Sequence, residues 1–193
     1  MGEPARTRAT YDDVKAAPPH RIAELVDGVL YTHARPAGPH ALVSSVLGEE
    51  LGPPFRRGRG GPGGWIFIDE PELHLGEDVL VPDMAGWRRE RLPRVEDVPF
   101  FTLAPDWVCE VLSPSTASRD KGQKLPLYAA SGVMHAWLID PVARTLDVLR
   151  RAGEHWIFVA THAEQARIRA EPFDAVEIEL GALWADLAPV KGG

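Results

Sequence analysis

Cysteine occurs once in 193 residues, at Cys109. A single thiol cannot close an intramolecular disulfide or a CxxC-type zinc site, which excludes a disulfide scaffold and a cysteine zinc ribbon. Long apolar runs are also missing: the opening MGEPARTRAT has no hydrophobic leader segment, and no later stretch approaches the length of a membrane span. The expectation is a soluble, cytoplasmic chain with no membrane partner. Lysine is scarce, at 4 residues against 17 arginines, and acidic side chains outnumber basic ones 28 to 21 for a net charge of −7. That balance argues against gripping long nucleic acid through global charge. The arginine excess suits bidentate phosphate contacts in a local cleft, and equally fits a compositional bias. Repeats, heptads and low-complexity tails are absent, whereas the length and a 45% hydrophobic content suit one domain with its own core.

Breakers and periodicity divide the chain into short elements. Thr10 caps a short helix, YDDVKAA, which Pro18-Pro19 stops. RIAELVDGVLYTH reads as a hairpin or bent strand turning at Gly28. From Pro39 to Phe55, Leu42, Val43, Val46, Leu47 and Leu51 recur at helical spacing. RRGRGGPGG is a loop without the order of a phosphate-cradling P-loop. WIFIDEPELHL and DVLVPDMAGW read as two strands joined at Gly76-Glu77-Asp78, followed by a second loop over 88–99. DWVCEVL is apolar on both faces apart from Glu110, as a central strand should be. After SPSTASRDKG comes a helix ending near Gly132, then strands HAWLID, RTLDVLRR, HWIFVATH and VEIEL, and an amphipathic tail to Leu187. The order predicts an α+β or mixed α/β class over residues 10–187, with flexible ends at 1–9 and 188–193.

Three charged residues stand where packing alone would not put them. Asp83 follows Val79, Leu80, Val81 and Pro82, and Glu110 lies inside WVCEVL. An isolated ionised carboxylate in such surroundings costs on the order of several kcal/mol unless paired or metal-bound. Two that meet would repel, so a divalent cation with oxygen ligands is their natural partner. Lys124 is the third. Pro126 inside a helix costs about 3 kcal/mol, so the helix is expected to begin near Gly122 or Gln123, placing Lys124 at an N-terminus whose dipole opposes its charge. Each residue also has a plainer reading: Asp83 as a turn cap, Glu110 as the partner of a buried arginine, Lys124 as a solvated surface lysine.

Other constellations are weaker. His20, His33, His40 and His74 show no HxxxH or HxH spacing for a zinc hydrolase. Ser113, Ser115, Thr116 and Ser118 crowd one turn without a nucleophile elbow and read as helix caps. Cys109 faces away from Glu110 and reads as a small core residue; Trp107, Trp137 and Trp156 read as core, and an exposed one would stack on a base.

VPDMAGW, DWVCEVLSPSTASRDKGQKLPLYAASGV and HAWLIDP together resemble the Uma-two family of endonucleases, within the PD-(D/E)XK restriction-endonuclease-like superfamily, and AELVDGVL, LDVLRR, VEIEL and LWADL also fit. The resemblance spans roughly residues 10–187. It implies a restriction-endonuclease-like core, a central mixed sheet flanked by helices, and metal-dependent hydrolysis of DNA phosphodiester bonds. Asp83 matches the Asp of the PD element and Glu110 the acidic residue of (D/E)XK. Leu112 replaces the superfamily lysine, a role that Lys124 takes in this family, orienting or helping to deprotonate the attacking water and offsetting charge on the pentavalent phosphorane. Glu24 matches the glutamate of an ELIDG-like segment and would complete the acidic cluster; His40 and Asp120 are accessory candidates. Asp83, Glu110 and Glu24, with a backbone carbonyl near Val111, would hold Mg²⁺ or Mn²⁺. Departures from the family pattern are Ala23, Val29 and Pro126. Arg56, Arg57 and Arg59 in one loop, and Arg88, Arg89, Arg91 and Arg94 in the other, would flank the backbone of a DNA partner, with weak, salt-sensitive binding. A homodimer would suit a duplex cut on both strands. The competing expectation is a non-catalytic binding or assembly module that keeps the nuclease fold.

Overall fold

The computed structural model describes residues 8–35, 37–114 and 116–188. The chain ends expected to be flexible fall largely outside these residues; within them, Ala9 N–H is bonded to Gly28 O at 2.8 Å. A short helix α1 (Tyr11–Lys15) starts where Thr10 N–H and Oγ1 both donate to Asp13 Oδ2. Strands β1 (Arg21–Val26) and β2 (Val29–Ala34) form the expected hairpin. Its two-residue turn has positive φ at Asp27 and Gly28, 52° and 76°, the left-handed pair that a type I′ connection needs.

Helix α2 (Gly38–Leu51) runs on into a π-helical turn, Gly52–Arg56, in which Arg57 N–H reaches back five residues to Gly52 O. Pro53 and Pro54 fall in this widened turn. The two expected strands 65–75 and 78–87 are each split. Strand β3 (Trp65–Asp69) and β6 (Met84–Arg88) pair in one sheet, while β4 (Leu73–Leu75) and β5 (Asp78–Leu80) pair in another. The breaks fall at Pro71 and Pro82, which have no N–H to give to a ladder. Asp83 therefore sits at a point where the chain changes sheets.

Strand β7 (Trp107–Val111) is central, as its composition predicts. The helical segment after it begins at Ala117, not near Gly122: α3 (Ala117–Arg119), a π-helical turn Asp120–Lys124, and α4 (Leu125–Ala130) are continuous. Leu125 N–H bonds Asp120 O five residues back, and this wide turn makes room for the Pro126 ring one residue later. Lys124 consequently lies in mid-segment, and the expected conflict with a helix dipole does not arise. This segment makes the crossover to β8 (His135–Asp140), which runs parallel to β7; β9 (Thr145–Ala152) and β10 (His155–Ala163) follow antiparallel. Of VEIEL only β12 (Ile178–Glu179) is strand, paired with β11 (Arg167–Ile168), and a 3-10 turn follows at Leu180–Trp184.

A six-stranded sheet, β10-β9-β8-β7-β6-β3, thus packs between two apolar layers. On one face Trp107, Cys109 and Val111 meet α2, Phe173 and the C-terminal turn. On the other, Val108 and Leu112 meet α4 and the four-stranded sheet β2-β1-β5-β4. Trp107 and Trp137 are core as expected; Trp156 is half-buried, donating Nε1–H to Leu125 O at 2.7 Å. No helix among the described residues is long and apolar enough to cross a membrane.

Candidate active site

Glu110 occupies the middle of β7 on the face covered by α4, and Glu24 reaches the same place from β1, which pairs with β5 through Leu25 and Val79. Lys124 fills the space between them. Its Nζ lies 2.8 Å from Glu24 Oε1, 2.8 Å from Glu110 Oε1 and 3.9 Å from Asp120 Oδ1, and it donates to Val81 O at 3.1 Å. Val81 N–H in turn donates to Glu24 Oε1 at 2.9 Å, and Tyr128 O–H to Glu110 Oε1 at 2.7 Å. All four charged groups are buried, Glu24 completely. The π-helical turn matters locally, because it brings Asp120 and Lys124 of one helical segment to the same cluster.

Asp83 stands beside this cluster at the junction of the sheets. Its Oδ2 accepts from Val111 N–H at 2.7 Å and lies 3.2 Å from His40 Nε2, at the start of α2. The bond to Val111 ties Asp83 to the residue after Glu110. Thr116, Ser113 and Arg119 from the following turn, with Arg35 and Glu70, close a cavity of about 240 Å³ into which Asp83, Glu110, Asp120, Lys124 and His40 all face.

Proton affinities follow from this geometry. Burial works against the Lys124 charge, but Glu110, Glu24 and Asp120 outweigh it and raise its pKa above that of an ordinary lysine. Burial alone would raise Glu24, yet Lys124, His33 and Val81 N–H hold it below the usual carboxylate range. Glu110 goes the other way: burial, against Lys124 and reinforced by Asp120, Asp83 and Glu24, pushes it well above the usual range. Burial also raises Asp120, and Tyr128 stays a neutral donor. His40 is raised by Asp83 against the opposing effect of burial. An ammonium held this firmly is a donor and a counter-charge.

The structure brings together Asp83, Glu110, Lys124, His40 and Asp120, but it places Glu24 behind Lys124 and off the cavity wall. Among the described residues no group of three His, Cys, Asp or Glu side chains is disposed to hold a metal ion. The expected three-carboxylate cluster of Asp83, Glu110 and Glu24 is corrected accordingly, since Lys124 occupies the space where Glu24 and Glu110 approach. Asp83 and Glu110 remain a fitting pair. Mg²⁺ binds through one or two carboxylates and keeps several waters. Burial and the neighbouring carboxylates disfavour the ionised form of Glu110, and a divalent ion held with Asp83 would offset that.

The two arginine loops are not equivalent. Arg56 and Arg57 line a groove of about 390 Å³ with Asp69 and Met84, at the end of β3 nearest Asp83. Arg59 is exposed in the loop beyond. Arg88 pairs in register with Trp65 at the far end of β6, five residues and about 16 Å from Asp83. There its guanidinium covers the Trp65 ring at 4.2 Å, Arg89 is exposed, and Arg91 is paired with Asp106 at 2.9 Å. Sequence reasoning missed His33 and Arg119, which approach Glu24 Oε2 at 3.4 and 3.3 Å. Arg119 lies between two motif residues, Thr116 and Asp120, and that placement was the available signal.

This arrangement of a mixed sheet and flanking helices has a counterpart among solved structures. One, a crystal structure titled as "a putative nuclease belonging to DUF820" from Anabaena variabilis, superposes with a TM-score of 0.68 at 23% identity, covering 91% of this chain and 97% of that one. The two chains thus share one α+β fold. The sequence itself matches the Uma2 family, described as "Putative restriction endonuclease", over residues 9–182, and the chain belongs to that family. No curated protein matches it in sequence.

Proposed function

We propose that the chain is a metal-dependent endonuclease that hydrolyses DNA phosphodiester bonds in the Asp83–Glu110–Lys124 cavity. One observation carries this reading: a fully buried ammonium and two acidic side chains from separate elements converge on a cavity, at an energetic cost that packing alone would avoid. Asp83 and Glu110 would hold Mg²⁺ or Mn²⁺. Such an ion supplies a water of lowered pKa and charge stabilisation at the phosphoryl group.

The chain's own groups do the rest. Val111 N–H and His40 hold the Asp83 carboxylate in one orientation. Glu24 and Val81 O fix Lys124 so that its ammonium offsets charge developing on the phosphate oxygens. Asp120, the wall carboxylate not assigned to the ion, can take a proton from water. Arg56 and Arg57, on the groove at the site end of β3, would track the DNA backbone, whereas Arg88 and Arg91 are engaged elsewhere.

The test is nicking of supercoiled plasmid with Mg²⁺ or Mn²⁺ by the wild type and by Asp83→Ala, Glu110→Ala and Lys124→Ala. Each substitution is expected to lower the rate at least about 100-fold. Wild-type activity in all three would refute the assignment.

A further inference from the structure

We infer that Arg119 is the phosphate-binding residue of the cavity, resting on the nuclease reading above. It does not belong to the Asp83–Glu110–Lys124 set, yet it lines the same cavity. Its side chain is only 13% exposed. The guanidinium carbon stands 5.3 Å over the Tyr31 ring, and Nη2 lies 3.3 Å from Glu24 Oε2.

Charge balance alone does not account for it. Glu24 already receives Lys124 and Val81 N–H on Oε1, at 2.8 and 2.9 Å. The approach of Arg119 to Oε2 makes no hydrogen bond, and Arg119 Nε is buried with no acceptor among the described residues. A guanidinium has five N–H donors in a rigid fork, and each buried donor left unmet costs about 1–3 kcal/mol. Tyr31 and Glu24 therefore hold the group in place without satisfying it. What is missing is an acceptor with two oxygens at the spacing of the fork, and a phosphate oxygen pair meets that description. Arg35, on the same wall, is already paired with Glu70 at 2.9 Å, and Lys124 is saturated by carboxylates. Among Arg35, Lys124 and Arg119, the permanent cations on this wall among the described residues, Arg119 is the one with a buried donor that meets no acceptor.

The experiment measures binding and cutting separately. Binding of a fluorescein-labelled DNA duplex is followed by anisotropy in Ca²⁺ over a range of salt concentrations, for the wild type, Arg119→Lys, Arg119→Gln and Tyr31→Phe; nicking is measured with Mg²⁺. The inference predicts binding weaker by about tenfold or more in Arg119→Gln, with a salt slope shallower by about one. Arg119→Lys keeps the slope but loses affinity, because it keeps the charge and loses the fork. Tyr31→Phe, which keeps the stacking ring, binds as the wild type does. A shallower slope separates phosphate contact from a structural role, which would lower the melting temperature and leave the slope alone. Unchanged affinity and slope in Arg119→Gln would overturn the inference whether or not the wild type cuts. A wild type that binds through Arg119 but never nicks would instead overturn the catalytic reading.

Discussion

The two faces of the six-stranded sheet are built from alternate residues of the same strands and solve opposite problems. Along β7, Trp107, Cys109 and Val111 point into a layer where Phe173 packs against Phe55, Trp65, Phe67, Trp107 and Trp137 at centroid distances of 4.9 to 5.5 Å. Between them lies Glu110, on a face that buries Glu24, Asp120 and Lys124 as well. The first face is apolar, with no buried charged side chain among the described residues. The second buries Glu24, Glu110 and Asp120 around Lys124 and Arg119, and on that arrangement the proposed cation and phosphate sites rest.

That contrast can be broken from either side. Lys124→Met removes the central counter-charge and leaves Glu24 and Glu110 buried without it; an expected loss of about 3–5 kcal/mol in urea unfolding should accompany loss of nicking. Phe173→Ala opens a void in the aromatic layer and should cost a similar amount, about 3–5 kcal/mol, while activity per folded molecule stays at the wild-type level. Gly86→Ala is a milder probe of the same layer, because a Cβ there would meet Phe67 and Trp107 at 3.1 Å; a loss of about 1–3 kcal/mol is expected.

Glu110→Gln sharpens the comparison instead. The ionised carboxylate is disfavoured in place, so its neutral isostere should leave stability within about 1 kcal/mol of the wild type while abolishing nicking. A fall of several kcal/mol would mean that Glu110 is structural. The smallest expected effect concerns His135, which burial holds below the ordinary histidine pKa against the pull of Glu171, with Arg88 and Arg150 reinforcing it. Its folded form binds fewer protons than the unfolded chain, so it should make stability fall as pH drops through about 6.5, and His135→Gln should flatten that part of the profile.

Much of this was legible in the residues. Asp83 and Glu110 stood out because each broke an apolar context, Lys124 because Pro126 suggested a helix start beside it, and the Val26–Val29 hairpin and the central strand followed from pattern alone. What was not legible depends on contacts between distant segments. Pro71 and Pro82 marked breaks, but nothing local says that the chain changes sheets there. Pro126 suggested a helix start, since i→i−4 bonding was assumed; the five-residue reach of Leu125 N–H to Asp120 O removes that constraint. Glu24 looked like a third ligand because it is acidic and in a family motif, whereas its partner is settled by where Lys124 projects, 100 residues later in the chain. The arginine loops look symmetrical in sequence, and only the antiparallel β3–β6 pairing shows that one lies at the site end and the other away from it.

The most direct measurement is a calorimetric titration with Mn²⁺ at neutral pH, comparing the wild type with an Asp83→Asn/Glu110→Gln double variant whose melting temperature has been checked. One saturable site in the wild type that vanishes in the double variant is the predicted result. Identical titrations of the two proteins, with or without heat, would contradict a cation site on the charged face.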